Sequence, residues 1–165
     1  MIADPNNLLA NALEACFFER SNGDVISILR RNSNDPCLIR LNPELTEFEI
    51  LYGGPNQPAF NFPAYYNPTS LIKLRDGNFY LLAGSRRKDS NNKHFMIESI
   101  VSEQDLLNNN ITNQRILKAN AYSSGDWGYA QVVITNDGNI YGYFYDTDRA
   151  EITGTTQIYE MIGCY

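Results

Sequence analysis

Two segments of the chain combine aromatic rings with side chains that hydrogen-bond well to sugars. Sugars stack their apolar faces on aromatic rings, while Asn, Asp and Arg donate to or accept from their hydroxyl groups. The first segment is Pro58–Tyr66 and the second is Asn120–Tyr129. The rings that would build such a surface are Tyr65, Tyr66, Tyr122, Trp127 and Tyr129. A plug of aromatic rings packed in the core between sheets is the alternative interpretation.

Charged side chains follow predicted strands at places where a binding site could gather them. The pairs Arg30-Arg31 and Arg86-Arg87 end strands, and guanidinium groups bind carboxylates in a bidentate manner. Asp146 lies at the end of the predicted strand that follows the third turn. We therefore expect Arg30, Arg86 and Asp146 to contribute to a ligand site, although arginines at strand ends also serve as solvated caps.

Metal and cofactor chemistry finds little support in the sequence. The three cysteines are far apart, no Cys-x-x-Cys is present, and His94 is the single histidine. These features predict neither a zinc site nor a disulfide framework. No Gly-rich phosphate loop, calcium loop or Ser/His/Asp arrangement stands out. We expect no metal and no cofactor, and Cys16 is interpreted as a small core residue.

The overall charge restricts the class of partner. A net charge of −6 and an isoelectric point near 4.7 argue against nucleic acid and against an anionic membrane surface. No apolar run reaches the ~18–20 residues that span a bilayer, which predicts no membrane insertion. The N-terminus lacks the basic and apolar regions of a signal peptide. The sequence does not determine the cellular compartment, and an extracellular or virion-associated location is compatible with the Asn- and Tyr-rich acidic composition.

Three strand–turn–strand copies must position these residues. Each turn ends in Asn-Gly or Asp-Gly, which supplies the positive φ that tight hairpins require. The turns are Ser21–Asp24, Arg75–Asn78 and Asn136–Asn139. Their spacing of roughly 50–60 residues is typical of propeller blades, in which each blade is one small antiparallel sheet.

The copies divide the chain into three predicted units within one domain, 1–165. The units cover approximately 14–52, 67–119 and 128–163, and 1–13 forms an arm or a short helix. The first two units have four strands and the third has three, with Gly53–Pro68 as a connector. The predicted fold class is all-β, with about three blade-like antiparallel sheets of a β-propeller. The open edge of unit three predicts self-association into a homo-oligomer or membership of a longer polypeptide.

The third unit resembles a blade of sialidase-like (BNR-repeat) β-propellers. The resemblance rests on Gly128–Ile140 followed by Phe144-Tyr145-Asp146, and on Asn67–Leu82 in unit two. The segment Ile100–Leu106 also resembles the Ser-x-Asp-Leu turn of five-bladed glycosidase propellers. The chain departs from the sialidase pattern, because the Asp-box motif Ser-x-Asp-x-Gly-x-x-Trp is absent.

The resemblance implies a specific enzymatic alternative. Sialidases use a Tyr nucleophile with an acidic partner and arginines that hold a carboxylate sugar, and Tyr129 falls where that family places its nucleophile. Arg30 and Arg86 would then be the substrate clamps. The favoured hypothesis is a non-catalytic recognition or structural module that binds a glycan or a protein, with a viral structural role as one setting. A sialidase-type glycoside hydrolase, or a fragment of one, is the alternative.

Overall fold

The computed structural model describes residues 12–31, 36–62, 70–85, 95–119, 126–147 and 156–164. These residues form an all-β structure with one short helix, as the sequence predicts. The strands are β1 (Ala12–Glu19), β2 (Val25–Arg31), β3 (Cys37–Leu41), β4 (Phe48–Tyr52), β5 (Ser70–Lys73), β6 (Phe79–Ser85), β7 (Phe95–Val101), β8 (Gln114–Ala119), β9 (Asp126–Ile134), β10 (Asn139–Thr147) and β11 (Thr156–Cys164). The helix α1 is Glu103–Leu107.

The strands assemble into three antiparallel sheets in which chain neighbours pair. Blade one has the order β1-β2-β3-β4, blade two β5-β6-β7-β8, and blade three β9-β10-β11. The predicted pattern of two four-stranded units and a three-stranded unit is confirmed for the described residues. β1 begins at Ala12, so Leu13 belongs to a strand and not to a helix, while residues 1–11 of the predicted arm lie outside the described residues.

The three Gly-containing turns share one hydrogen-bonded geometry. Their glycines Gly23, Gly77 and Gly138 have φ of 88°, 89° and 90°, a region that side chains disfavour. Each glycine N–H donates to the carbonyl three residues earlier, as in Gly77 N to Leu74 O at 3.1 Å. This is a type I turn closed by a glycine bulge, a common hairpin connection. The prediction of a positive φ at these glycines is confirmed.

Side chains reinforce the same turns. In blade two the Asp76 carboxylate accepts from the backbone N–H of Asn78 at 2.9 Å and from its amide at 2.8 Å. In blade one the roles are exchanged, because the Asn22 amide donates to the Asp24 carboxylate at 2.9 Å. The residues that flank the glycine are thus Asn and Asp in blade one and Asp and Asn in blade two, so each of these turns has one amide donor and one carboxylate acceptor.

The inner strands of blades one and three carry matching β-bulges. In blade one, Ala12 pairs with Arg31 and Ala15 pairs with Leu29, so β1 has two residues between these pairs where β2 has one. In blade three, Gly128 pairs with Tyr145 and Gln131 pairs with Tyr143, so β9 likewise has one extra residue relative to β10. Each bulge adds one residue to the inner strand near its start, which bends the strand and turns its side chains.

The blades pack face to face through apolar clusters. One cluster joins Ile26 and Ile28 of blade one to Phe79 and Leu81 of blade two, and the Phe18 and Phe79 rings lie 4.0 Å apart between centroids. A second cluster joins Tyr80, Leu82 and Ile72 of blade two to Ile140, Val132 and Ile134 of blade three. The inner strands follow one another, since β5 contacts both β1 and β9. This succession of stacked sheets is the propeller arrangement.

Contacts between blades place all three glycine turns at one end of the stack. Arg20, beside the first turn, donates to Glu103 of α1 at 2.7 Å. The helix α1 begins two residues after Val101, which pairs with Phe79 at the second turn, so the first and second turns lie at the same end. Arg75 of the second turn lies close enough to Asp137 of the third to affect its pKa. We call this end the turn end. The opposite end is called the bulge end, and it is formed by the starts of β1, β5 and β9 and the ends of β2, β6 and β10.

The connector after blade one is fixed to the outer part of blade two. Asn109, at φ 60°, donates to Ala59 O at 2.9 Å and accepts from the N–H of Asn61. Phe60 and Phe62 are buried in the cluster between blades one and two. Ser102 caps α1, with its Oγ accepting from Asp105 N at 3.0 Å. None of the described helical residues forms a segment long and apolar enough to cross a bilayer.

Candidate functional site

Four of the predicted ligand residues lie at the bulge end, on blades one and three. Arg30 is next to the last residue of β2, while Trp127 and Tyr129 lie near the start of β9. Asp146 is next to the last residue of β10. The starts of inner strands and the ends of second strands share one end of the stack, so residues remote in sequence are brought to the same end.

Trp127 and Asp146 are direct cross-strand neighbours. Their Cα atoms are partners in the β9–β10 ladder, with Gly128 opposite Tyr145 at the next position. An aromatic residue and a carboxylate residue are therefore backbone partners at the bulge end, a pairing that the sequence alone does not reveal because the register includes a bulge.

Tyr129 lies in the bulge itself. The extra residue of β9 falls at Tyr129–Ala130, opposite Phe144. Bulges are frequent beside active sites because they re-aim a side chain relative to regular alternation. The backbone at Tyr129 is therefore a place where the strand departs from simple in–out alternation.

Blade one contains the counterpart of this feature, and sequence reasoning missed it. Its bulge falls at Leu13–Glu14, opposite Arg30. Glu14 stands nine residues before Gly23, just as Tyr129 stands nine residues before Gly138. Aligning the chain on its three glycines would have identified Glu14, since the turns fix the register of each hairpin.

Arg30 is half buried and its direction follows from alternation along β2. Ile26 and Ile28 face blade two, and Arg30 continues that series on the same face. The guanidinium group therefore belongs to the side of blade one that faces its neighbour. This placement suits a group that contributes to a surface shared by blades rather than one that extends freely into solvent.

The other predicted ligand residues, Arg86, Tyr65, Tyr66 and Tyr122, lie outside the described residues. Two other aromatic residues of the Pro58–Tyr66 segment distinguish between a sugar-binding surface and a core plug for that part of the segment. Phe60 and Phe62 are buried between blades one and two, so this half of the segment is the core plug of the alternative interpretation.

A buried carboxylate in blade two has a structural role. Glu98 accepts from the Tyr80 hydroxyl group and from the guanidinium group of Arg115. Tyr80 and Glu98 are both buried, whereas the Arg115 side chain is exposed. Satisfying a buried carboxylate in this way removes most of the cost of its burial, and it leaves Glu98 engaged on both oxygens.

The turn end holds charged groups that connect hairpins to one another. Arg20 pairs with Asp24 of its own hairpin at 3.4 Å and with Glu103. A cleft of about 150 Å³ between the second and third turns is lined by Leu74, Arg75, Asp76, Ile134 and Gly138. The Thr135 hydroxyl group, which donates to Asp137, holds the pKa of that carboxyl below its usual range, with a smaller contribution from Arg75.

Cys16 is a partly buried free cysteine on the inner strand of blade one. Burial raises the pKa of its thiol to about 12, and the side chain packs against the cluster between blades one and two. The interpretation of Cys16 as a core residue is confirmed. Within the ranges that the structure describes, no three His, Cys, Asp or Glu side chains meet in a group that could hold a metal ion.

Comparison with known proteins gives a likeness of fold. No protein-family model matches the chain, and no curated protein matches its sequence. The endo-arabinase of Bacteroides thetaiotaomicron is 17% identical, with a TM-score of 0.56 over 95% of this chain and 57% of that one. The α-L-arabinanase of Penicillium chrysogenum, complexed with arabinobiose, is 10% identical, with a TM-score of 0.61 over 97% of this chain and 48% of that one.

A third solved structure agrees. The sucrose-6-phosphate hydrolase of Lactobacillus gasseri is 15% identical, with a TM-score of 0.55 over 91% of this chain and 32% of that one. The chain thus spans about a third to somewhat over half of the length of these proteins. They are five-bladed propeller glycosidases, which matches the second resemblance drawn from the sequence; the sialidase-like assignment stays a prediction. The chain has a propeller-type fold made of three blade-like sheets.

Proposed function

We propose that the chain is a carbohydrate-binding propeller module whose ligand surface is the bulge end. The observation that supports this proposal is the pairing of Trp127 with Asp146 across β9 and β10, at the same end of the sheets as the Tyr129 bulge and Arg30. Aromatic rings, a carboxylate and a guanidinium group are the side chains that bind sugars. The carboxylates of the second and third glycine turns instead accept from the amides of their own hairpins.

The charge of the chain narrows the ligand class. A protein with a net charge of −6 repels polyanionic glycans at long range. Neutral sugars suffer no such penalty and gain from stacking and from hydrogen bonds to Asp and Arg. We therefore favour neutral oligosaccharides. The likeness of fold to an arabinanase complexed with arabinobiose supports arabino-oligosaccharides as the first probes.

Titration calorimetry with arabinobiose and longer arabino-oligosaccharides, preceded by a glycan array, tests the proposal. We expect binding that Trp127→Ala weakens by about tenfold or more, because a stacking contact of some 1.4 kcal/mol corresponds to that factor. Trp127→Phe is the matched control and should retain most of the affinity. Binding unaffected by Trp127→Ala, or no binding to any glycan on the array, would overturn the proposal in favour of a protein partner.

Glycoside hydrolysis is a second candidate, and two carboxylate residues motivate it. Glu14 and Asp146 lie at the bulge ends of blades one and three, and most glycosidases use a pair of carboxyl groups. The Tyr129 nucleophile of the sialidase-type alternative would act at the same end.

Fluorogenic arabinosides and a fluorogenic sialoside distinguish the two chemistries. A two-carboxylate enzyme would turn over an arabinoside and lose activity in Glu14→Gln and in Asp146→Asn. A sialidase-type enzyme would turn over the sialoside and lose activity in Tyr129→Phe. Absence of turnover on every substrate, together with glycan binding, is the result expected of the recognition module.

A further inference from the structure

The repeat defines two faces for each blade, and the described packing assigns them. We call the face that packs against the next blade along the chain the leading face. Its equivalent positions, counted from the glycine turns, are Phe18, Ile26 and Ile28 in blade one, Ile72, Tyr80 and Leu82 in blade two, and Val133, Tyr141 and Tyr143 in blade three. The opposite face is called the trailing face. Its equivalent positions are Phe17 and Val25 in blade one, Leu71 and Phe79 in blade two, and Val132 and Ile140 in blade three.

Two described residues on the leading face of blade three, Val133 and Tyr143, are large and exposed. Val133 is 54% exposed and Tyr143 is 41% exposed, whereas Leu82, the counterpart of Tyr143 in blade two, is fully buried. Sheet faces that present large apolar side chains to solvent mark interaction surfaces. The same positions are covered by the next blade in both of the other units, so Val133 and Tyr143 occupy blade-interface positions but are exposed among the described residues.

The trailing face of blade one is open at its inner strand. Phe17 is 69% exposed, although its counterparts Leu71 and Val132 pack into the clusters between blades. The rest of this face is buried within the chain, since Ser27 and Leu29 of β2 and Cys37 and Ile39 of β3 are at most 8% exposed. The open part is therefore the inner-strand region around Phe17.

We propose that the leading face of blade three binds the trailing face of blade one in a second copy of the chain. In both blade junctions within the chain, the residue at the Val133 position packs in the same cluster as the residue at the Phe17 position. These pairs are Phe18 with Leu71 and Ile72 with Val132. One chain thus presents the inner-strand positions of both halves of a junction that it already uses twice.

Two copies related by a twofold axis satisfy both open faces at once. A head-to-tail contact gives a closed assembly when its rotation closes, and two identical junctions then bring six blades together. The partner is a second copy rather than an unrelated protein because the complementary face lies on the same chain. This inference does not rest on the proposed function, although it would bring the Arg30 end of one copy next to the Asp146 end of the other.

Light scattering coupled to size exclusion, together with sedimentation velocity over a concentration series, tests the proposal. We expect a mass of twice 18.7 kDa for the 165-residue chain. Val133→Asp and Phe17→Asp should each shift the protein to the monomer mass. Ile116→Asp is the matched control, because Ile116 is 56% exposed but lies on β8 of blade two. A monomeric wild-type chain at every concentration, or a dimer unaffected by Val133→Asp and Phe17→Asp, would overturn the proposal.

A charge-pair experiment separates a specific junction from general loss of stability. Val133→Lys and Phe17→Glu should each be monomeric and retain the circular dichroism spectrum of the wild type. Mixed in equal amounts, they should form a heterodimer, because one junction then pairs Lys with Glu and the other is unaltered. Failure of the mixture to associate, when both variants are folded and the wild type is a dimer, would reject the pairing of these two faces.

Discussion

Blades two and three carry the same hairpin, yet their side chains meet different surroundings. Tyr80 and Leu82 of blade two are fully buried, while Tyr143 of blade three is largely exposed. The turns themselves are alike, with glycine φ values of 89° and 90°. The difference shows that the hairpin is a local structure, whereas the contribution of each face to stability depends on whether another sheet packs on it.

Truncation of equivalent leading-face residues should give the largest contrast. Leu82→Ala leaves a cavity in the cluster between blades two and three, and we expect it to lower the free energy of unfolding by about 2–5 kcal/mol. Tyr143→Ala, on the open face of blade three, should cost clearly less in the monomer. Urea denaturation under conditions that keep the chain monomeric measures both, and equal losses would mean that blade three is covered in solution.

Glycine substitution in the turns should affect the two blades equally. A Cβ at Gly77 would meet no atom within 4 Å, so the cost of Gly77→Ala is backbone strain alone, about 1–2 kcal/mol. Gly138→Ala should cost the same, because its φ is nearly identical. Asn tolerates positive φ better, so Gly77→Asn should recover part of the loss. Thermal unfolding reports all three, and a much smaller effect in one blade would show that its turn relaxes.

Removal of single tyrosine hydroxyl groups should again distinguish the blades. Tyr80→Phe deprives the buried Glu98 carboxylate of one donor, which we expect to destabilise the fold by about 1–2 kcal/mol. Tyr141→Phe, at the equivalent position of blade three, should be nearly neutral because Tyr141 is half exposed. Chemical denaturation measures the free energy of unfolding of both variants relative to the wild type. A neutral Tyr80→Phe would indicate that water replaces the lost donor.

The smallest expected effect concerns the acid side of the stability curve. Thr135 lowers the pKa of Asp137 in the folded state, so the interaction stabilises the fold above the unfolded pKa of about 3.9 and is lost as the pH falls through the folded value. Thr135→Val should raise the pKa of Asp137 towards its usual range. Carboxyl NMR titration measures this shift, with Asp105 as an internal control.

The pKa of Asp105 depends on Ser102 and Asn110 and should not change in that variant. An unaltered Asp137 value in Thr135→Val would mean that the hydroxyl group does not donate to this carboxylate. Blade two offers no equivalent experiment, because Leu74 occupies the position of Thr135 there.

The strand positions of the candidate residues show what can be predicted from the sequence and what cannot. Arg30 and Asp146 were identified as residues that end second strands, and the hairpins place both at the bulge end. The pairing of Trp127 with Asp146 and the equivalence of Glu14 with Tyr129 were missed. A bulge shifts the register by one residue, and strand alternation read from the sequence does not reveal where the shift occurs.

The sequence by itself determined the three hairpins, their order and the blade type. A glycine at positive φ and β-branched or aromatic neighbours act over a few residues, so their effect is legible in the chain. Only the tertiary structure decided that Phe60 and Phe62 fill the space between blades, and that Tyr80 is buried while Tyr143 is exposed. Alternation tells which residues share a face, but burial depends on what packs against that face, and that is a property of the assembled sheets.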